Sequence, residues 1–139
     1  MAYCNYAQAQ KNLNSDQISL ITAIHTVGKN YIAEADFVQM LTGKAAVKAA
    51  RKAGEAEYNI NKEKDTIWYV PNDFFVLNSN PEIRQLQIFP GIKIYLLRNG
   101  SSILIKSSML KLKNNFTGKL FRLTLKQNQI IKLEEIYTP

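Results

Sequence analysis

Apolar positions in the first half of the chain recur mostly at helical spacing. A stripe of Ile and Val predicts a helix over residues 16–27, and apolar side chains three and four residues apart predict a short helix over 34–41. An Ala- and Lys-rich run predicts a third helix over 44–53, which Gly54 ends. Gly43 separates the last two helices, because glycine adopts the positive φ that terminates a helix at little cost.

A short hairpin is predicted directly after these helices. Strand-like runs cover residues 58–61 and 66–70, and the charged segment 62–65 between them has hairpin length. Helix, tight turn, helix and hairpin in this order resemble the winged helix-turn-helix family of DNA-binding domains. The segments that carry the resemblance are DFVQMLTGKAAVKAARKAG and the candidate wing EYNINKEKDTIWYV. The resemblance covers roughly the first half of the chain and implies that helix 16–27 is the third helix of that fold and that helix 44–53 enters the major groove of DNA.

From residue 83 onward the apolar period changes to two, which is the period of a β-strand. An Asn-Gly pair at 99–100 marks a tight hairpin, and the succession of hairpins predicts a small antiparallel sheet or barrel. The polar segment 78–81 is the predicted domain boundary. We therefore expect an α+β protein, with a winged helix-turn-helix-like three-helix unit and β-hairpin over 1–79 and a basic antiparallel β domain over 80–139. The predicted strands of the second domain cover residues 83–89, 92–98, 103–106, 109–113, 119–126 and 130–136.

The helix predicted over 44–53 has two contrasting sides. One side is a strip of small residues, which would let the helix lie close to a core; it consists of Ala46, Val47, Ala50 and Ala53. The other side is a basic stripe with spacings of three and four, which is suited to phosphates on both walls of a major groove. A solvated surface without a ligand explains the same pattern, and this alternative stays open. The stripe consists of Lys44, Lys48, Arg51 and Lys52.

The net charge of +7 is unevenly distributed. Residues 1–70 contain eight Lys and Arg against seven Asp and Glu, whereas residues 71–139 contain ten against four. Between Gly91 and Leu133 there are nine basic residues and no acidic one. Such a run predicts a positive surface and a polyanionic or acidic partner. The residues expected to contact nucleic acid are therefore Lys44, Lys48, Arg51 and Lys52 on the helix, Lys62 and Lys64 in the hairpin, and Lys111, Lys113 and Arg122 on the β-sheet.

The composition excludes several classes of site. With 46% hydrophobic and 21% charged residues, the chain is expected to be globular. Cys4 and His25 are the only Cys and His, which excludes an internal disulfide, a four-ligand Cys/His zinc site and a catalytic triad. We expect no cofactor, no metal and no enzymatic activity. No apolar run approaches the roughly 20 residues that a membrane-spanning helix needs. We therefore expect no membrane partner and a cytoplasmic location.

The leading hypothesis is a non-enzymatic, sequence- or structure-selective DNA-binding protein, a regulator or accessory factor of the kind found in phage- or plasmid-like elements. Double-stranded DNA is the expected partner, and a homodimer would enlarge the small footprint of one winged helix. The alternative from a different class is an interaction module or inhibitor whose basic β-sheet binds an acidic protein. A third hypothesis is a metal-dependent nuclease that would use Glu55 and Glu57. Trp68, Phe74 and Phe75 are expected in the core, with a stacking platform for single-stranded bases as the alternative.

Overall fold

The computed structural model describes residues 14–79 and 81–138, in which β-strands predominate. The chain divides into two compact units that are not consecutive in sequence. The described part of the barrel unit comprises residues 14–36 and 82–137, and that of the inserted unit comprises 37–79, Pro81 and Thr138. The boundary predicted at 78–81 lies where the chain returns from the inserted unit to the barrel unit.

Long strands of the barrel unit alternate along the chain with the short elements of the inserted unit. In chain order, the described elements are β1 (Asp16–Val27), β2 (Asn30–Phe37), β3 (Gln39–Thr42), α1 (Gly43–Lys52), β4 (Glu57–Ile60), β5 (Thr66–Tyr69), a 3-10 turn (Pro71–Asp73), β6 (Phe74–Leu77), β7 (Ile83–Leu97), β8 (Leu104–Ser107), α2 (Met109–Asn115), β9 (Leu120–Lys126) and β10 (Gln129–Glu135).

Five strands close into a barrel in the order β10-β9-β1-β2-β7, because β10 also pairs with β7. The pairs β1–β9, β2–β7 and β9–β10 are antiparallel, whereas β7 and β10 run parallel. The short β8 pairs with the second half of β7, and α2 connects β8 to β9. Numbered along the barrel alone, the strand order is 1-2-3-5-4, with one parallel pair and a helix between the third and fourth strands. This is the connectivity of an OB-fold, a five-stranded Greek-key barrel.

Alternation along the strands builds the core of the barrel unit. In β9, Phe121, Leu123 and Leu125 are buried, whereas Arg122 between them is exposed. The period of two predicted for this segment is therefore confirmed. From α2, Leu112 is also fully buried. Each of these side chains contributes roughly 1.5–3 kcal/mol of hydrophobic stabilisation on folding.

β7 is interrupted by a bulge that changes its register with β10. Ile130 lies opposite Ile88, but Lys132 lies opposite Lys93, so four residues of β7 face a single residue of β10. Pro90 lies in this bulge, where the lack of a backbone N–H is tolerated. A bulge locally redirects the side chains around it, so the surface of the barrel unit is irregular at this point.

The inserted unit consists of two separate two-stranded sheets and α1. β3 pairs with β6, and β4 pairs with β5, in both cases antiparallel. Ala46 and Ala50 of α1 are fully buried beside Val70, with Leu41 and Phe75 packed against this cluster. Because alanine side chains are small, the backbone of α1 lies close to its neighbours. The predicted hairpin is confirmed. On the predicted buried side of α1, Ala46 and Ala50 are buried as expected, whereas Val47 is only half-buried and Ala53 is exposed.

The predicted three-helix unit is absent from the described residues, so the resemblance to winged helix-turn-helix domains is wrong. Residues 16–27 form β1, and residues 34–41 belong to β2 and β3. β1 is rich in Ile, Thr and Val, whose branched side chains favour strands over helices. In β2, Ala33 and Ala35 are both fully buried, a period of two that defines its inward side. Gly43 therefore joins a strand to α1, and the α+β class is corrected to a mainly β protein.

One predicted strand of the second half is a helix. Residues 109–113 lie in α2, and the hydroxyl of its N-cap, Ser108, accepts a hydrogen bond from the backbone N–H of Lys111 at 3.3 Å. Leu112 is fully buried while Leu110 is 70% exposed. The lysines of this segment therefore belong to a helix and not to one side of a sheet. The predicted basic antiparallel domain is also incomplete, since the barrel takes two strands from the N-terminal half and contains a parallel pair.

Candidate nucleic-acid interface

Local sequence signals define both ends of α1. Gly43 has a φ of +60° and redirects the chain from β3 into the helix. At the other end, Gly54 has a φ of +74°, and its N–H donates to the Arg51 carbonyl at 3.1 Å. The N–H of Glu55 donates to the Ala50 carbonyl at 2.8 Å, which completes a Schellman motif. The predicted end of the helix at Gly54 is confirmed.

A groove with a volume of about 750 Å³ runs along the exposed side of α1, and we call it the cationic groove. Four positive side chains face a single carboxylate across it, so its potential is positive. The first turn of α1 contains no acidic residue, which leaves the positive end of the helix dipole uncompensated there. The helix wall carries Lys44, Val47, Lys48, Arg51 and Lys52, and the opposite wall carries Tyr69, Val70 and Asp73.

An aromatic pair lies beside the cationic groove. The guanidinium carbon of Arg51 is 4.4 Å from the centroid of the Trp68 ring, which is a cation–π contact. The Trp68 and Tyr58 rings are tilted by 54° with centroids 5.2 Å apart. Tyr58 is 57% exposed, and Trp68 is half-buried. Arg51 thus belongs both to the groove and to an aromatic surface on the β4–β5 hairpin.

Tyr69 lines the groove as a neutral hydrogen-bond donor. Its hydroxyl donates to Oε2 of Glu57, directly across the hairpin, at 2.7 Å. This hydrogen bond, with smaller contributions from burial and from the negative charge of Glu57, raises the pKa of Tyr69 above its usual value. Glu57 is therefore held by a structural partner.

The rim of the groove opposite α1 has an unusual backbone. Asn72 and Asp73 both have a φ of +60° within the 3-10 turn. Asn and Asp tolerate the left-handed region better than other side chains, but two in succession still store strain. Such strain is concentrated at functional sites more often than elsewhere.

The two hairpin lysines lie apart from the residues that line the groove. Lys62 and Lys64 are exposed in the β4–β5 turn, where Lys64 has a φ of +63°. Glu63 and Asp65 alternate with them, and the N–H of Asp65 is held by the side-chain oxygen of Asn61 at 2.8 Å. The turn therefore carries little net charge.

The three predicted sites of the second half do not form one sheet surface. Lys111 and Lys113 are exposed on α2, and the Lys113 ammonium lies 5.5 Å from the centroid of the Tyr31 ring. Arg122 is exposed on β9, opposite Glu134 of β10. Lys111 and Lys113 lie two residues apart on one short helix, and therefore on different sides of it, while Arg122 lies on a different element.

Sequence reasoning offered Trp68 as a stacking surface only as the alternative to a core position, and it missed the pairing of Trp68 with Tyr58 and a second basic cluster. The strand positions of Tyr58 and Tyr69 gave no functional signal, because aromatic residues in a hairpin ordinarily serve packing. Lys93, Lys126 and Lys132 lie around a second groove on the barrel unit. The acid-free run of the sequence contained them, but only the pairing of β10 with β7 on one side and with β9 on the other brings them together.

In residues 14–79 and 81–138, no group of three His, Cys, Asp or Glu side chains could hold a metal ion. Cys4 lies outside the described residues. None of the described helices is long and apolar enough to cross a membrane. Comparison with protein-family models, with curated proteins and with solved structures finds no match to this chain.

Proposed function

We propose that this protein binds nucleic acid without catalysing a reaction, and that the cationic groove holds the backbone of a single strand. The observation that carries the proposal is the row of four positive side chains along α1 beside the Trp68–Tyr58 pair. Positive side chains neutralise phosphates, and aromatic rings stack on unpaired bases. Proteins that bind single-stranded nucleic acid commonly combine both kinds of residue.

A single strand suits this surface better than a duplex. The expectation of duplex DNA depended on a helix-turn-helix that would project a recognition helix, and the described residues contain no such pair of helices. The exposed Tyr58 ring and the half-buried Trp68 ring can stack only on bases that are free of their complements. Arg51 joins both kinds of contact, since a guanidinium can bind phosphate while it stays on an aromatic ring.

Trp68 provides a direct assay, because it is the only Trp in the chain and lies against a groove residue. Adding an unstructured oligonucleotide should change its fluorescence, and the affinity should fall as salt rises. Neutralising four phosphates predicts a slope of log K against log salt of about −3 for a single strand, at about −0.7 per phosphate. A duplex of the same length should bind more weakly.

Two double variants distinguish binding in the cationic groove from nonspecific attraction by positive charge. Lys48→Gln with Arg51→Gln should weaken binding about tenfold or more and make the salt slope shallower by about 1.4. The control, Lys62→Gln with Lys64→Gln, removes the same charge from the same unit but outside the groove, and should change affinity much less. Equal losses in both variants, or no salt-dependent binding by the unmodified protein, would contradict the proposal.

The fold supports the proposal only by analogy. OB-folds often bind oligonucleotides or oligosaccharides, but one fold hosts many functions. We include a cytoplasmic location in the proposal, because a single cysteine fits a reducing compartment.

A second candidate function is association with another polypeptide, which the outer edge of β8 favours. In the described part of the chain, β8 pairs only with β7. Ile105 of β8 is 45% exposed and Ile103, just before the strand, is 56% exposed, and an apolar strand edge is a template for pairing with another strand. Sedimentation at increasing concentration should show association that Ile105→Lys abolishes; a monomer at all concentrations would exclude self-association through this edge.

A further inference from the structure

We propose that the barrel unit carries a second binding site for single-stranded nucleic acid, in a groove of about 550 Å³ formed by β7, β9 and β10. This inference rests on the proposed function, because it assigns the same class of ligand to a surface outside the inserted unit. We call this surface the barrel groove. The residues that the argument uses are Phe89, Lys93, Lys126, Gln129 and Lys132.

Strand pairing places these side chains side by side. Lys93 of β7 lies directly opposite Lys132 of β10. Three residues earlier in β10, Gln129 lies opposite Lys126 of β9 on one side and Gln87 of β7 on the other. Three lysines and two amide side chains thus form a compact polar surface across three strands.

Two irregularities coincide in this groove. The bulge in β7 contains Phe89, which remains 37% exposed, and Gly91 lies beneath the tip of its ring. A Cβ at Gly91 would lie 3.2 Å from Cε1 of Phe89, so a side chain there would displace the ring. Against β9, the extra residue of β10 is Ile131, which also lines the groove. Bulges are common beside functional sites, where they redirect side chains.

The electrostatics of the barrel groove favour an anion. Like charges directly opposite each other on a sheet are destabilising, so the Lys93–Lys132 pair has a cost that a bound anion would remove. Glu134 offsets part of this charge, because its Oε1 is 3.2 Å from the Lys132 ammonium. Within the described residues, neither Lys93 nor Lys126 forms an ion pair. The barrel groove therefore keeps a net positive charge, and its lysines could contact two or more phosphates.

The other chemistry of the groove suits an unpaired nucleotide. The exposed Phe89 ring offers a stacking surface next to the lysines. Gln129 Nε2 is 3.5 Å from Gln87 Oε1, at the limit of a hydrogen bond, so both amides can turn to the edge of a base. A purely anionic ligand such as inorganic phosphate would use the lysines but leave the ring and the amides without a role.

The surface that OB-folds commonly use does not offer the same chemistry here. Ligands of OB-folds often lie across the second and third strands, which correspond to β2 and β7. On β2, Glu34 is partly exposed and pairs with His25 at 3.3 Å. A carboxylate at this position repels phosphate, so the barrel groove, on the other side of β7, is the better site for a strand.

The test compares matched double variants of the full chain with single-stranded oligonucleotides of about 6 and about 25 nucleotides. Lys93→Gln with Lys132→Gln should weaken binding of the longer oligonucleotide about tenfold and make its salt slope shallower by about 1.4. The control, Lys29→Gln with Arg98→Gln, removes two exposed turn charges of the same unit and should change affinity less than about twofold. Glu134→Gln should strengthen binding, since it removes the carboxylate that competes for Lys132.

NMR chemical shifts locate the ligand independently of affinity. On adding the shorter oligonucleotide, the backbone amides of Lys93, Gln129 and Lys132 should shift in a saturable manner, and Phe89→Ala should weaken this effect about tenfold. Inorganic phosphate at the same ionic strength should give smaller shifts that do not depend on Phe89. Equal effects of phosphate and oligonucleotide would overturn the nucleotide assignment.

The outcomes separate the two proposals. If the barrel variant keeps the affinity and the salt slope while Lys48→Gln with Arg51→Gln loses them, this inference is wrong and the cationic groove stands. If only the barrel variant loses binding, the inference holds and the cationic groove is not the site. If Lys29→Gln with Arg98→Gln causes the larger loss, the ligand lies elsewhere on the barrel unit and the inference is overturned. Absence of any salt-dependent binding by the unmodified protein overturns both.

Discussion

Arg51 combines a positive charge in the cationic groove with stacking on an aromatic ring. Its guanidinium lies 4.4 Å from the Trp68 ring while the side chain lines the cationic groove. A lysine would keep the charge but would lose the planar group that stacks on the ring and binds phosphate through two N–H donors. The identity of the cation should therefore matter at this position and much less at the other positions of the stripe.

We expect Arg51→Lys to weaken single-strand binding about three- to tenfold and to reduce the change in Trp68 fluorescence on binding. Lys48→Arg is the matched control, because it exchanges the same two residue types on the same side of α1 but away from Trp68. Fluorescence titration at constant salt measures both effects. Unchanged affinity in Arg51→Lys would show that Arg51 acts only as a positive charge.

Tyr69 gives a prediction about pH. The hydrogen bond to Glu57 raises the pKa of Tyr69, so the folded protein holds this phenolic proton more tightly than the unfolded chain does. The stability linked to Tyr69 is therefore fully present below the usual tyrosine pKa, near 10, and is lost as the pH rises through the higher folded-state value. Glu57→Gln should lower the pKa of Tyr69 towards its usual value. Glu55→Gln, which removes another exposed carboxylate of the same segment, should leave it unchanged in a ¹³C-tyrosine NMR titration.

At the scale of elements, the sequence predicted correctly those elements that depend on residues close together in the chain. The Ala- and Lys-rich composition predicted α1, and the glycine at 54 predicted its end. Strand-like runs around a charged turn predicted the β4–β5 hairpin. The segments 16–27 and 34–41 were mistaken for helices because apolar residues at spacings of three and four also occur by chance in a strand with both sides partly buried. The content of β-branched residues was the better guide for β1.

The close packing of α1 can be tested at its buried alanines. Ala50→Leu would force extra atoms between α1 and Val70, and overpacking of this kind costs about 1–3 kcal/mol of unfolding free energy. Ala45→Leu is the control, since Ala45 is exposed on the same helix and substitution there should stay within about 0.5 kcal/mol. Urea denaturation monitored by Trp68 fluorescence measures both. Equal stabilities would show that α1 is not held by this contact.

At the scale of the whole molecule, the decisive contacts join distant parts of the sequence. The barrel closes through the parallel pairing of β7 with β10 and through β1 with β9, and no local pattern indicates which strands pair. The acid-free run predicted a positive surface, yet it could not show that Lys93 and Lys132 are neighbours while Lys111 lies on a helix. For the same reason the sequence located the cationic stripe of α1 but not the contact of Arg51 with Trp68 or the pairing of Trp68 with Tyr58.

The register of β2 with β7 predicts that the inserted unit is dispensable for the barrel. Asp36 lies directly opposite Ile83, so the two ends of the inserted segment are one strand spacing apart. Replacing residues 37–82 with Asn-Gly should leave a two-residue hairpin and a folded barrel, visible as dispersed NMR spectra and cooperative thermal unfolding. Replacing 37–83 instead should destabilise the barrel strongly, because it shifts the register by one residue and turns buried side chains outward. Equal stability of the two variants would contradict the assigned register.

The insertion also implies an order of events during folding. Asp16 of β1 pairs with Thr124 of β9, about one hundred residues away in the sequence, whereas Glu57 and Tyr69 pair across a short turn. Contacts between distant residues form slowly because the intervening chain loses entropy first, and a hairpin forms within microseconds. We therefore expect the β4–β5 hairpin to form while β1 still lacks its partner on β9. The aromatic surface at Trp68 would then be in place before the last step of folding, which is the closure of the barrel.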